Sequence, residues 1–457
     1  MLCRENSLTR ILHRFYSGRA YFVFCVLLSS LGVILNTELI SAALLIVLLT
    51  GQFIVLRDTS RMFYPILFMI MTLVNVTGAD MMRGAWLGIG AVPVLSAIAY
   101  NIIKGKKKFR PNAIFLPMLA VSVAVCTGGL FSISAEHYFD IGNVYYIVFL
   151  GFGMTGLCAV VYTMWDGEEL ESLKNEFIRA IVHSGIFVSF VMMLYYLLNL
   201  SEFTKTLQVV EVLAHNPFRN VAVSHYMLSM PFLFYCARKK PVYLLWAVFM
   251  YGACLISGSR MGLLLGSAEF LLLIVYYIVT LKKRRWLYGA VFIAVLAVVF
   301  IMRDDILYFY FGRDEFGEGF FRMEEARVTM MRRTIPDFLS NPVFGKGLGY
   351  RGNEDCYLPG FFEMNWHHNL ICQIVGGLGI VGIAAYCYQY YYRLNLLLKR
   401  TSSFKWLICL MYVGVLMNSM VDPGIFIPFP TTFLLNCAFM MAALEDKRLT
   451  EAHRDVV

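Results

Sequence analysis

The 457-residue chain is 59% hydrophobic and only 15% charged, with a mean hydropathy of +0.66 and a formal net charge of +9. That is the composition of a polytopic membrane protein, and the excess of positive charge reflects topology and contact with anionic lipid, with no hint of nucleic acid. The eleven cysteines are scattered, mostly inside apolar stretches, and read as small buried hydrophobes, which argues against a disulfide framework or a metal cluster.

Taken in chain order, apolar runs of spanning length fall at approximately 20–36, 40–56, 62–78, 85–102, 113–133, 144–164, 180–200, 221–237, 242–257, 261–281, 287–302, 369–392, 406–421 and 431–444. The first is followed by no small-residue cleavage site, so no removable signal peptide is expected. The fold class predicted is therefore an all-α polytopic membrane protein of about 12–14 transmembrane helices, with residues 1–457 forming a single integral membrane domain. Alternating the spans from a cytoplasmic N-terminus gathers the basic clusters "KGKKKFR", "RKK", "KKRR", "RLNLLLKRTSSFK" and "EDKRLTEAHR" on the cytoplasmic side, as the positive-inside bias requires. Both termini are then cytoplasmic.

One extracytoplasmic segment, 303–368, is far longer than the other outer loops, and long loops in compact proteins tend to be functional. Within it "EEARVTMMRRTIPDFLS" predicts an amphipathic helix with Met330, Thr334 and Phe338 on one side, and "NPVFGKGLGY" predicts a tight, close-packed backbone excursion. "GKGLG" lacks the spacing of a phosphate-cradling loop. The segment carries eleven acids against eight bases, so any anionic ligand must be held by individual arginines and not by a general positive field. Arg332 and Arg333 are expected in surface pairs with Glu324, Glu325 or Asp337.

Further outer-face candidates are Arg260, behind the turn in "ISGSRMG", and Arg219 in "HNPFRNVAVSHYM". Each stands at a span boundary against the positive-inside bias, where either a ligand or a lipid headgroup could stabilise it. Glu269, well inside the tenth span, is expected to be a neutral, hydrogen-bonded structural carboxyl. At the start of the twelfth span "NWHHNLICQIVGGLGIVG" sets a titratable pair, His367 and His368, against the apolar run.

"SGSR" opening a helix, "RVTMM" ahead of the proline of "NPVFGKGLGY", and "HNLICQIVGGLGIVG", in this order and on one face, resemble the O-antigen ligase and polymerase superfamily of bacterial envelope glycan transferases. The resemblance covers about the last 200 residues. Residue by residue it carries over to Arg260, Arg327, Pro342, Gly345, Gly347, His368 and Asn369. The family histidine is the one followed by Asn, with Gly379 farther on, which leaves His367 an additional neighbour. Two departures are Met331, where relatives often carry tryptophan, and Gly377, where they often carry glutamate.

The resemblance implies a glycan donor linked through diphosphate to a polyprenol, and transfer to a hydroxyl of an acceptor glycan or glycolipid at the bacterial cytoplasmic membrane. Arginine suits the diphosphate because its planar fork makes bidentate bonds and keeps its charge. A neutral imidazole suits the acceptor hydroxyl as a base. The implied site is thus His368 as catalytic base, with Arg260, Arg327, Arg219 and Asn369 binding substrate, extracytoplasmic, inverting, with no metal and no cofactor. The motifs do not separate polymerase from ligase; without a feature identifying a lipid A-core acceptor, a surface-polysaccharide polymerase is favoured. The competing classes are a lipid-linked oligosaccharide flippase, which should show repeat symmetry and midplane polar sites, and a scaffold of an envelope-assembly complex.

Overall fold

Side chains that are apolar all round a helix can be buried on one face and face lipid on the other, and that is the pattern adopted along the chain. The computed structural model describes residues 7–59, 61–73, 89–108, 114–132, 147–165, 167–198, 218–257, 259, 262–281, 285–301, 303–304, 328, 331–348, 367–421 and 424–454. These are helical throughout, with no strand among the described residues.

In order the helices are α1 (Ser7–Ser17), α2 (Arg19–Ile34), α3 (Glu38–Val55), α4 (Phe63–Leu73), α5 (Ala91–Lys104), α6 (Phe115–Thr127), α7 (Phe152–Met164) and α8 (Leu170–Leu198). They continue with α9 (Phe218–Lys239), α10 (Val242–Ile256), α11 (Gly262–Thr280, opening on a π turn), α12 (Arg285–Ile301), α13 (331–340), α14 (Leu370–Leu398), α15 (Ser403–Ser419) and α16 (Phe433–Arg454). Every one of the apolar runs contains one of these helices. Four are long and apolar enough to cross a membrane outright, or five if α1 and α2, bent by 68° at Gly18, form one span; seven more are apolar but of 10–17 residues. The chain is therefore an all-α polytopic membrane protein.

α9 lies at the centre: every residue from Ala222 to Phe234 is buried, by α8, α10, α11 and α15. Peripheral helices show the two-faced pattern instead. On α11, Leu273, Ile274 and Tyr277 are buried while Leu272 and Val279 are exposed. Small residues allow the close approach of α11 to its neighbours: a Cβ on Gly262 would stand 2.9 Å from Cys254 Sγ and 3.1 Å from Val223 Cγ2.

Polar contacts collect at the two ends of α14. At its C-terminal end Lys405 Nζ bonds Asp446 Oδ1 at 2.6 Å and Leu396 O at 2.8 Å, Lys174 pairs with Glu445 at 2.8 Å, Arg448 donates to Glu168 O, and Lys107 donates to Met164 O. Lys405 and Arg393, at the two ends of the basic cluster assigned to the cytoplasmic side, are 1% and 4% exposed. At the other end Asn369 Nδ2 donates to Met420 O at 3.0 Å, and residues 128–132 meet 341–345. The candidate site lies at that end.

Candidate active site

α14 begins where it does because Asn369 caps it. Extended backbone at Asn369 (φ −152°, ψ 127°) lets its Oδ1 accept from Ile371 N at 3.0 Å and Cys372 N at 3.1 Å, satisfying two of the amides that a helix start leaves open. Its Nδ2 straps the same point to the end of α15 through Met420 O. Four residues on, Gln373 Oε1 reaches back to accept from His367 N at 2.7 Å. His368 is pinned between these anchors, half-buried, with φ +50°. Left-handed backbone costs a non-glycine residue about 1–2 kcal/mol, and it persists here because the residues on either side are fixed. Asn369 thus has a structural task, where the sequence suggested a substrate contact.

His367 turns inward and is fully buried. Its Nε2 lies 3.6 Å from Asp337 Oδ2, on the buried side of α13, and a Cβ on Gly376 would be 3.4 Å from the same nitrogen. Both His367 ring nitrogens, Asp337 Oδ2, Thr334 Oγ1 and Gln373 Nε2 are buried and, among the described residues, have no hydrogen-bond partner. Of the amphipathic helix expected over 324–340, the described stretch 331–340 is helical with Thr334 on its covered side. Its covered residues are Thr334 and Asp337, spaced one turn apart, and Phe338 is only partly covered. Asp337 consequently faces His367, not Arg332 or Arg333. Met330 lies outside the described residues.

The chain after α13 locks into a break in α14. Gly379 has φ +60° and ψ −154°, which interrupts the helix and frees the carbonyls of Gly376 and Gly377 and the amides of Ile380 and Val381. All four are taken up by the 342–347 segment. Lys346 N donates to Gly376 O at 3.0 Å and Gly347 N to Gly377 O at 2.9 Å, while Ile380 N donates to Pro342 O at 2.8 Å and Val381 N to Val343 O at 3.1 Å. Glycine is demanded on both sides. A Cβ on Gly379 would lie 2.6 Å from Pro342 O and 2.7 Å from Gly345 N, and one on Gly377 3.0 Å from Gly347 O. Gly345 (φ +66°) and Gly347 (φ +104°) are themselves left-handed. Asn341 completes the lock, its Nδ2 donating to Leu130 O and Gly345 O, each at 2.8 Å. The Gly377 departure from the family pattern is thereby explained for this chain: the position serves backbone contact.

Arg260 and Arg327 lie outside the described residues, as does the side chain of Arg219, whose backbone forms the first turn of α9. Their described neighbours belong to this end of the bundle. Ser224 on α9 accepts from Asn418 Nδ2 at 3.1 Å, two residues from the Met420 carbonyl that Asn369 holds. Ser257 and Ser259, flanking the turn ahead of Arg260, accept from Ser259 N and Gly262 N. Farther along α11 both oxygens of Glu269 are buried, and among the described residues neither has the hydrogen-bond partner expected for that carboxyl. Sequence reasoning missed Asp337 and Gln373; the Asn369-to-Gln373 spacing of a helix start was the legible signal for the second.

A family model described as O-Antigen ligase matches residues 245–387, a stretch that runs from α10 through α13 and the lock to the middle of α14. No curated protein and no solved structure matches the chain. Residues 245–387, which hold the His368–Asn369 helix start and the glycine lock, are thus similar to the O-antigen ligase family, and that match supports the O-antigen ligase and polymerase superfamily.

Proposed function

We propose that the protein transfers or polymerises a polyprenyl-diphosphate-linked oligosaccharide at the outer face of the bacterial cytoplasmic membrane, with a glycan or glycolipid as acceptor. His368 takes the proton of the acceptor hydroxyl as that oxygen attacks the anomeric carbon. Arg260 and Arg327, with Arg219 beside them, hold the departing diphosphate and offset the charge that grows on it. Attack from the face opposite the leaving group inverts the anomeric configuration. Diphosphate is already a good leaving group that needs no strong protonation, and this reading includes neither a metal nor a cofactor. The 303–368 segment is the extracytoplasmic loop that brings Arg327 to the site, and both termini are cytoplasmic.

The observation that carries this reading is the fixing of His368. A half-buried imidazole is held in left-handed backbone by an N-cap on one side and a buried, bonded residue on the other. It stands at the end of α14 opposite the lysine-rich contacts around Lys405, Lys174 and Lys107, where positive-inside reasoning sets the outer surface.

The test is transfer by purified protein in liposomes containing a synthetic polyprenyl-diphosphate oligosaccharide, with EDTA present, comparing wild type, His368→Ala and Arg260→Ala. A ladder of repeat units identifies a polymerase and a single addition to a supplied acceptor a ligase, with both variants inactive at unchanged abundance. Donor that crosses the bilayer with no glycan transferred would replace this reading with a flippase.

A further inference from the structure

Roughly 27–37 Å along α14 from His368, at 1.5 Å per residue, the helix lines a small polar cavity of about 30 Å³ with α6, α7 and α16. Arg393 and Gln389 enter it from α14, Asn436 from α16 and Thr155 from α7, among Met154 and Leu435. Every one of the four polar side chains is more than nine-tenths buried. Thr155 is satisfied by Ser122 at 2.6 Å. Arg393 donates to Asn436 Oδ1 at 2.7 Å and lies over the rings of Tyr412 and Phe439 at 5.3 and 4.9 Å. Among the described residues the Gln389 amide has no hydrogen-bond partner, and no carboxylate lies within ion-pair distance of Arg393.

This sets Arg393 apart from the other buried cations of the bundle. Lys405 has Asp446 at 2.6 Å, and Lys174 has Glu171 and Glu445, each at 2.8 Å. An unpaired guanidinium taken out of water costs several kcal/mol, and ring faces and one neutral amide return only part of it. A buried charge at the cytoplasmic end of a spanning helix, with no carboxylate beside it among the described residues, poses the question of its partner. The cavity answers on size and on chemistry. A single water needs about 10–15 Å³, so the space admits a halide-sized ion. Guanidinium N–H groups and an unused amide N–H are donors, which suit an anion and leave a cation unserved.

We propose that the cavity between α6, α7, α14 and α16 is a binding site for one small inorganic monoanion of chloride size, held by Arg393 with Gln389 as second donor. The ion neutralises the buried guanidinium and ties the four helices together. Nothing in this assignment depends on glycan transfer.

The experiment is equilibrium binding of radioactive chloride to the detergent-purified full-length protein in a gluconate buffer, paired with thermal unfolding in chloride or gluconate at constant ionic strength. One saturable site per chain is expected in wild type, with a midpoint that climbs by a few degrees as chloride is raised. Arg393→Gln should bind at least ten times more weakly and lose the chloride dependence of its midpoint. Gln389→Leu, which leaves the cation in place, should weaken binding by a smaller factor and serves if the arginine variant does not fold. Absence of saturable binding in wild type, or equal binding in wild type and Arg393→Gln, overturns the proposal. So does a stoichiometric lipid phosphorus content that wild type retains through delipidation and Arg393→Gln lacks, because the arginine's partner would then be a lipid phosphate.

Discussion

His367 Nε2 lies 3.6 Å from Asp337 Oδ2 with both side chains buried, so α13 and the start of α14 meet through one titratable pair. Removing either partner strands the other. Asp337→Ala is expected to lower stability by about 1–3 kcal/mol, whereas replacing both residues with leucine should cost clearly less than the sum of the two single leucine changes. Thermal unfolding of the three variants measures the coupling, and strictly additive losses would show that the pair does not hold the helices.

The glycine lock should discriminate sharply between neighbouring glycines. Gly379→Ala places a side chain on left-handed backbone and 2.6 Å from Pro342 O, so it should cost more than about 2 kcal/mol and deplete folded protein from the membrane. At Gly376 the nearest atom to a new Cβ is His367 Nε2 at 3.4 Å, and Gly376→Ala should be accumulated near the wild-type level. Membrane abundance and gel-filtration profiles of the two variants check the contrast; equal behaviour would contradict it.

Asn369 offers a kinetic test of position against binding. Asn369→Ala removes the N-cap and the Met420 strap, which should cost about 1 kcal/mol for the cap alone. Because its contacts are to the protein's own backbone, kcat for glycan transfer should fall with KM for the lipid-linked donor little changed. A rise in KM at constant kcat would restore a substrate contact for this residue. Asn369→Ser, which keeps a capping oxygen, should recover part of the loss.

A pH response is built into the opposite end of the molecule. In the turn between α7 and α8, Glu168 accepts from Thr59 N and Oγ1 at 3.1–3.2 Å. Burial and then the charge of Asp58 raise its carboxyl from 4.5 to about 7, against the lowering effect of the Thr59 bonds and Lys107. The folded protein therefore keeps this proton where the unfolded chain has already released it. Its stability should fall as pH rises from about 4.5 to about 7 and change no further above that on this group's account. Glu168→Gln should flatten that part of the profile; an unchanged slope in the variant would assign the effect to other groups.

Most of the helix content was legible in the sequence because burial of an apolar surface in lipid or protein asks only for a long apolar run, and each run, from 20–36 to 431–444, holds a helix, whereas α1 lies ahead of the first run. Partners were not legible. Residues 342–347 announced a tight backbone excursion through Pro342, Gly345 and Gly347, yet the surface receiving them, Gly376 to Val381, is defined by main-chain groups that every residue carries. His367 showed itself only as a second histidine, since nothing in local spacing reveals an aspartate thirty positions earlier turned toward it. Arg393 sat in a basic run that reads as a cytoplasmic connection, and only the packing of α16 and α15 around it reveals an interior cation. At the other extreme, His368 was legible by motif and the cause of its rigidity was not.

The break at Gly379 also bears on how the protein is made. Gly376 to Val381 would bring two bare carbonyls and two bare amides into hydrocarbon, at several kcal/mol apiece, if α14 entered the bilayer alone in its kinked form. The segment that covers them, 342–347, precedes them in the chain and has already left the ribosome when they emerge. Synthesis thus delivers the cover before the gap. Reversing that order, by a circular permutation that opens the chain between the lock and α14, would ask the insertion machinery to release an incomplete helix into lipid.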